Sequence, residues 1–130
     1  MDEFDLWNER KKQIDGRIPA ANFHFQEREV WWCSIGKNIG SEQNGKNEGF
    51  ERPVIIFRIF SKETMWVIPL TSRAQIIESR KELRVEINKT FQTADISQMR
   101  LISSRRLSRY IDIVSYGDFQ KIRKCLSELV

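Results

Sequence analysis

Apolar and β-branched residues recur in short runs from residue 28 onward, separated by polar turns. This pattern predicts a series of strands. The first run is apolar and aromatic, which is typical of a strand buried on much of both faces. Residues 83–87 instead alternate apolar with charged side chains, as in a strand with one solvated face. The predicted strands are, in chain order, 30–35, 53–60, 64–71, 83–87, 90–97, 101–103 and 112–114.

Two segments have the period of an amphipathic helix. Within 118–130, apolar residues are separated by three, four and three positions, and Gly117-Asp118 offers an N-cap. Residues 3–15 also place apolar side chains among charged ones, and Pro19 lies shortly after that segment. We therefore expect one helix before the strands and one helix after them in the sequence.

Together these elements predict a mainly β fold, a small β-barrel with helical additions. We expect residues 1–27 to form a helical extension with its connector, and residues 28–130 to form the principal domain. The segment 36–51 is polar and holds four of the six glycines. Its length within a small domain indicates a functional loop or a disordered one.

Length and composition restrict the class of protein. A chain of 130 residues, with 40% hydrophobic and 31% charged residues, suits one soluble domain with a single core. No apolar run is long enough to span a membrane, and the acidic N-terminus lacks the pattern of a secretory signal. We therefore expect a cytoplasmic protein with no membrane partner.

The cysteines argue against a disulfide and against a zinc site. Cys33 and Cys125 lie far apart in apolar surroundings, so we interpret them as reduced core residues. Together with the single histidine, His24, they do not have the spacing of metal ligands. We expect neither a metal nor a cofactor.

Positive charge is concentrated toward the end of the sequence. Residues 73–130 carry 12 basic and 7 acidic side chains. Such an excess suits a polyanionic partner, because Lys and Arg neutralise phosphates. An ordinary solvated surface explains it equally well.

The sequence restricts which side chains could act as catalytic groups. No pair of histidines, nucleophile elbow, phosphate-binding loop or dinucleotide fingerprint is present, so catalysis would depend on Arg, Glu, Thr and Ser. A guanidinium can stabilise charge on a phosphorane while hydroxyls hold phosphate oxygens. Such groups occur at residues 40–45, at Arg52-Pro53 and at Thr71-Ser72. Strand ends and a loop can converge on one rim of a small barrel.

Five segments occur in a characteristic order. They are Glu29-Val30-Trp31-Trp32, Gly40-Ser41-Glu42-Gln43, Arg52-Pro53-Val54-Ile55-Ile56, Pro69-Leu70-Thr71-Ser72, and Ile96-Ser97-Gln98-Met99-Arg100 with Ile102. In this order, and with the helix after residue 117, the chain resembles the MazF/PemK family of toxin–antitoxin toxins from about residue 28 to residue 130. Each segment alone is a weak signal, whereas the five in order are specific.

The resemblance implies an SH3-like barrel of the MazF/PemK/CcdB type. It also implies a homodimeric endoribonuclease that cleaves single-stranded RNA without metal or cofactor and leaves 2′,3′-cyclic phosphate and 5′-OH ends. The implied catalytic residues are Arg52 for proton transfer and phosphate stabilisation, Thr71 as a hydrogen-bond donor to the scissile phosphate, and Glu42 as the base for the 2′-OH. The implied RNA-binding residues are Ser41, Gln43, Ser72, Gln98 and Arg100.

The same resemblance implies a cognate antitoxin, partly disordered, that fills the RNA groove and folds as it binds. Operator DNA would be contacted through that antitoxin. Two other functions stay open: a non-enzymatic barrel that binds RNA or protein, and a toxin of this fold that poisons DNA gyrase. Residues 46–51 and 1–27 have no counterpart in the minimal toxin, and both could reshape or cover the site.

Each candidate residue also has a purely structural interpretation. Arg52 could be a surface charge beside a proline, and Thr71 a strand-forming residue at a strand end. We interpret Trp31 and Trp32 as mostly structural and Trp66 as core. For a further basic cluster, RNA backbone contact, antitoxin contact and a solvated loop are all open; it comprises Arg105, Arg106 and Arg109.

Overall fold

Seven strands and one helix account for most of the residues that the structure, a computed structural model, describes: 24–35, 51–72 and 81–129. The elements are β1 (Glu29–Ser34), β2 (Glu51–Ile59), β3 (Thr64–Thr71), β4 (Glu82–Ile87), β5 (Thr90–Asp95), β6 (Arg100–Ser103), β7 (Leu107–Ile113) and α1 (Tyr116–Glu128). Short 3-10 turns lie at Ile96–Gln98 and Ser104–Arg106. The helix predicted at 3–15 and most of the loop predicted at 36–51 lie outside the described residues.

The seven strands form one antiparallel sheet with the neighbour order β4-β5-β3-β2-β1-β7, and β6 pairs with β3. The β3 strand pairs with β6 along Thr64 to Val67 and with β5 at Leu70 and Thr71. Because its two parts have different partners, the sheet curls at β3 into half a barrel. The predicted mainly β barrel with a C-terminal helix is confirmed.

The central strands bury side chains on both faces, as the sequence predicted for the first of them. One face contributes Val30, Ile55 and Ile68 to a core that the β4–β5 hairpin and α1 cover. The opposite face builds a second core, whose buried members are Trp31, Cys33, Ile35, Val54, Ile56, Met65, Val67, Ile102 and Leu107. Since apolar side chains fill both faces, polar groups of β2 and β3 can gather only near the strand ends.

Several strand boundaries differ from the predictions. The last strand, β7, is longer than the predicted 112–114. Its pairing with β1 contains two register shifts, so its buried positions do not alternate regularly and the sequence pattern did not reveal its full length. β5 ends at Asp95, where a 3-10 turn follows, and not at Ser97. β2 begins at Glu51, so Pro53 is its third residue rather than its first.

Helix α1 begins two residues before the predicted start. The hydroxyl of Ser115 accepts a hydrogen bond from the backbone N–H of Asp118 at 3.1 Å, so Ser115 is the N-cap. Asp118 lies inside the first turn, where its carboxylate accepts a hydrogen bond from the backbone N–H of Glu86 at 3.1 Å. Phe119 and Ile122 are buried, as the helical period predicted.

The turn between β4 and β5 gives a first testable prediction. Asn88 and Lys89 have φ values of 49° and 65°, the left-handed region that a two-residue hairpin turn requires and that glycine adopts at low cost. We expect Lys89→Gly to raise the free energy of unfolding by about 0.5 kcal/mol, because removal of backbone strain outweighs the greater entropy of the unfolded chain. Urea denaturation monitored by circular dichroism measures the change.

Lys62→Gly is the matched control. Lys62 is an exposed turn residue that does not have a positive φ. Lys62→Gly is expected to lower the free energy of unfolding slightly, because its only effect is to increase the conformational entropy of the unfolded chain. Equal effects of the two substitutions would contradict the assignment of strain to Lys89.

Candidate active site

The ends of β2 and β3 place Arg52 beside Thr71. The register pairs Val54 with Pro69, each two residues away from one of these side chains, and both of these side chains line one cleft. Both residues are buried, with 6% and 8% of their surfaces exposed. Nη1 of Arg52 donates a hydrogen bond to the carbonyl oxygen of Leu70 at 3.3 Å, which directs the guanidinium toward the end of β3. Two of the three predicted catalytic residues therefore lie together.

A cleft with a volume of about 260 Å³ opens at these strand ends. Its lining residues are Trp32, Glu51, Arg52, Pro53, Leu70, Thr71, Ser72 and Gln92. The lining combines apolar walls with one guanidinium, one carboxylate, two hydroxyls and one amide. Such a cleft can hold an anionic group at the guanidinium and hydroxyls, next to a surface suited to a flat apolar group.

Glu51 is held firmly at the rim of the cleft. Its Oε2 accepts a hydrogen bond from the hydroxyl of Ser108 at 2.7 Å and lies 3.7 Å from Nη1 of Arg109. The guanidinium of Arg109 in turn lies 5.0 Å from the ring centroid of Trp32, a cation–π distance. The Ser108 hydroxyl also lies within hydrogen-bond distance, 3.4 Å, of the carbonyl oxygen of Trp32. The carboxylate and the indole are thus fixed by one network from β7.

The predicted RNA-binding residues fall into three groups. Ser72 is exposed and lines the cleft. Arg100 pairs with Val67 across β6 and β3, so it lies on the same face of the sheet as Arg52, although it does not line the cleft. Gln98 lies in a 3-10 turn, not on the exposed face of a strand, and is not among the lining residues. The remaining predicted site residues, Ser41, Gln43 and the candidate base Glu42, lie outside the described residues.

Five lining residues were not predicted as site residues, and two of them, Pro53 and Leu70, directly adjoin predicted ones. Trp32 was interpreted as mostly structural, yet it is half-buried and forms one wall of the cleft. The sequence could have indicated Glu51 as a site residue, since it directly precedes Arg52. It could not have indicated Gln92, which reaches the cleft only because β5 pairs with the end of β3 at Thr71.

The other tryptophans and the predicted basic cluster mainly contact other parts of the protein. Trp31 is buried in the second core, as expected, whereas Trp66 is only half-buried, packed edge-on against Phe60 with centroids 4.8 Å apart. Within the predicted basic cluster, Nη1 of Arg106 donates to the carbonyl oxygen of Ser34 at 3.2 Å. Through this contact and that of Arg109 with Glu51, two of the three arginines in the cluster contact β1 and β2.

Cys33 lies opposite Arg52 in the pairing of β1 with β2. Burial raises the pKa of its thiol to about 12, although the nearby positive charges of Arg106 and Arg100 favour the thiolate. The thiol is therefore protonated at neutral pH and is not a nucleophile for the site. Cys125 is half-buried rather than a core residue, and desolvation raises the pKa of its thiol as well.

Within the described ranges, no group of three or more His, Cys, Asp or Glu side chains is arranged to hold a metal ion. In the same ranges, no helix combines the length and apolarity needed to cross a bilayer. The expectation that the protein uses neither metal nor cofactor stays a prediction.

Known structures with the same fold include MazF from Deinococcus radiodurans, with a TM-score of 0.65 and 18% identity over 82% of this chain and 96% of that chain. A MazE–MazF complex from the same organism has a TM-score of 0.61 and 16% identity over 82% and 95% of the two chains. An endoribonuclease in complex with its cognate antitoxin, from Mycobacterial species, has a TM-score of 0.58 and 13% identity over 81% and 93%. At these identities the likeness is one of fold.

The comparison at the level of sequence is more specific about the family. A search of curated proteins gives no significant match. The family model described as "PemK-like, MazF-like toxin of type II toxin-antitoxin system" matches residues 26–130, which is most of the chain and includes the whole of the cleft. This protein therefore belongs to the family of PemK-like, MazF-like toxins of type II toxin–antitoxin systems.

Proposed function

We propose that this protein is a metal-independent endoribonuclease that cleaves single-stranded RNA at short specific sequences. The observation that carries the proposal is the placement of Arg52 and Thr71 in one cleft, in a chain that belongs to a toxin family. A protein of the same fold is described as an endoribonuclease, which supports the same activity here.

The proposed reaction is an attack of the ribose 2′-oxygen on the adjacent phosphorus. The bond from phosphorus to the 2′-oxygen forms, the bond to the 5′-oxygen breaks, and the 5′-oxygen leaves with a proton from solvent, giving 2′,3′-cyclic phosphate and 5′-OH ends. Arg52 stabilises the charge that develops on the phosphate oxygens, and Thr71 donates a hydrogen bond to one of them. Charge stabilisation is assigned to Arg52 rather than proton transfer, because a guanidinium holds its proton strongly.

Glu42 remains the proposed base for the 2′-OH on the strength of the motif that contains it. Ser72 and Arg100 are the proposed RNA contacts with support from geometry, since one lines the cleft and the other shares a sheet face with Arg52. The proposed contacts of Ser41, Gln43 and Gln98 rest on the resemblance.

A cognate antitoxin is the proposed inhibitor. Two proteins of the same fold are described in complex with an antitoxin or with MazE, which supports such a partner for this chain. A segment of antitoxin lying over the cleft would block RNA and would gain its order on binding. A homodimer, a cytoplasmic location and contact with operator DNA through the antitoxin complete the proposal.

The activity is tested by incubating purified, antitoxin-free protein with a long unstructured RNA in EDTA and mapping both ends of the products. We expect discrete cuts at a short recurring sequence, with cyclic phosphate on one side and 5′-OH on the other. The added antitoxin, once identified, is expected to stop the cleavage.

Other outcomes lead to the alternative functions. RNA that binds without being cut, by folded protein, would contradict the proposal and indicate a binding module. Loss of supercoiling by DNA gyrase on addition of the protein, with RNA left intact, would indicate a gyrase poison. Cleavage that needs a divalent cation would contradict the metal-independent mechanism.

A further inference from the structure

The cleft beside Arg52 has apolar surface in addition to the polar groups that would bind a phosphate. Trp32, Pro53 and Leu70 form apolar surface next to the guanidinium and hydroxyls that suit an anion. A volume of about 260 Å³ is small for an extended ligand but sufficient for one flat ring system. In single-stranded RNA, the group that lies next to a phosphate and is flat is the nucleobase, and proteins hold unstacked bases against aromatic side chains.

The polar groups of the wall are placed to contact the edge of such a ring. Glu51 and Gln92 both line the cleft, and the Glu51 side chain is 10% exposed. A carboxylate has about four acceptor positions over its two oxygens, and the contacts from Ser108 and Arg109 both fall on Oε2. Those contacts fix the orientation of the carboxylate before any ligand arrives.

We propose that this cleft is a base-specific pocket that selects guanine next to the scissile phosphate, with Glu51 as the residue that determines the selection. The inference rests on the proposed ribonuclease function and specifies its substrate. Guanine presents N1–H and an N2 amino hydrogen side by side, and a carboxylate accepts both in the same paired geometry with which it accepts a guanidinium.

The other bases fit a carboxylate less well. Adenine and cytosine present an amino group next to a ring nitrogen whose lone pair would face the carboxylate. Uracil presents a single N–H between two carbonyl oxygens. Glu51 therefore attracts guanine and repels an acceptor edge, which is how one buried polar group rejects a wrong partner. Trp32, held by Arg109, supplies the stacking surface for the ring.

Binding of single nucleotides separates base selection from cleavage. Isothermal titration calorimetry of the full-length, antitoxin-free protein is carried out with the 3′- and 5′-monophosphates of guanosine, adenosine, cytidine and uridine. We expect a guanosine monophosphate to bind at least about fivefold more tightly than its uridine counterpart, the discrimination that one good paired contact provides. Weak, millimolar affinities are sufficient for the comparison.

The substitution that tests the role of Glu51 is Glu51→Gln, which keeps the shape of the side chain. It is expected to reduce the preference for guanosine to less than about twofold, because an amide offers one acceptor and one donor in place of two acceptors. Glu63→Gln is the matched control, since Glu63 is exposed in the turn between β2 and β3. A purely structural role of Glu51 would weaken all the nucleotides equally.

Failure of this inference and failure of the proposed function have different signatures. Equal binding of all the nucleotides, no binding at millimolar concentrations, or a guanosine preference that survives Glu51→Gln would overturn the base pocket even if RNA is cut. Selective guanosine binding that depends on Glu51, in a protein that leaves RNA intact, would support the pocket and contradict the ribonuclease. Mapped cuts next to guanosine in the wild type, and redistributed in Glu51→Gln, would support both.

Discussion

Replacement of Arg52 with alanine is expected to slow RNA cleavage at least about 100-fold, the loss typical when one preorganised group that stabilises transition-state charge is removed. Arg52 lines the cleft, is buried, and donates a hydrogen bond to the carbonyl oxygen of Leu70. A charge in such a position interacts with the phosphate more strongly than a solvated one. The measurement is the initial rate of cleavage of a fluorescent oligonucleotide that contains one mapped site.

Two further variants test whether the loss of cleavage is specific to the Arg52 side chain. Arg58→Ala removes an exposed arginine from the same strand, over Phe60 and outside the cleft, and is expected to cleave at nearly the wild-type rate. Arg52→Lys keeps the positive charge but not the planar fork of donors, so only a small part of the activity should return. Because Arg52→Ala leaves the Leu70 carbonyl without this donor, circular dichroism must show that the variant is folded. Comparable rates for folded Arg52→Ala and Arg58→Ala would contradict the proposed mechanism.

Replacement of Phe119 with alanine is expected to lower the free energy of unfolding by about 3–5 kcal/mol, the range for deleting a buried phenylalanine from a core. Phe119 is 3% exposed in the first turn of α1, and its ring centroid lies 5.5 Å from that of Phe57 on β2. The substitution leaves a cavity between the helix and the sheet. Because stability totals only about 5–15 kcal/mol, this is a large fraction of it. Urea denaturation at a fixed protein concentration measures the loss.

Phe91→Ala is the matched control for the core substitution. Phe91 is 65% exposed on β5, so its removal is expected to change stability by no more than about 0.5 kcal/mol. If Phe119→Ala is too unstable to purify, Phe119→Leu fills part of the cavity and should show a smaller loss in the same direction. Similar stabilities for Phe119→Ala and Phe91→Ala would show that α1 is not docked through Phe119.

The Glu51 network connects β2 with β7 at the candidate site. Glu51 and Arg52 are adjacent on β2, where successive side chains point to opposite faces, yet both reach the cleft because it lies at the end of the strand. Ser108 and Arg109 then tie the carboxylate to β7. The cleft therefore presents a carboxylate acceptor and a guanidinium, the two groups to which we assign the base and its phosphate in our proposal.

Local sequence patterns were sufficient to predict the elements that are uniformly apolar or regularly amphipathic. The strand at 64–71 was predicted with the bounds that the structure has, because apolar residues fill it and polar turns flank it. The two strands on either side of Asn88-Lys89 and the buried face of α1 followed from local periodicity in the same way. The candidate pair Arg52 and Thr71 followed from the order of short motifs, since each lies at a strand end that could be located from the sequence.

The features that the sequence did not predict depend on pairing between segments that are distant in the chain. The length of β7 comes from its bulged pairing with β1, and the 3-10 turn at Ile96–Gln98 interrupts a run that read as a strand. The cleft joins Trp32, Glu51 and Gln92 from three strands far apart in the chain. No local pattern marks Trp32 or Gln92 as a site residue, because the curl of the sheet brings them to the cleft. That curl arises when β3 pairs with β2, β5 and β6 at once.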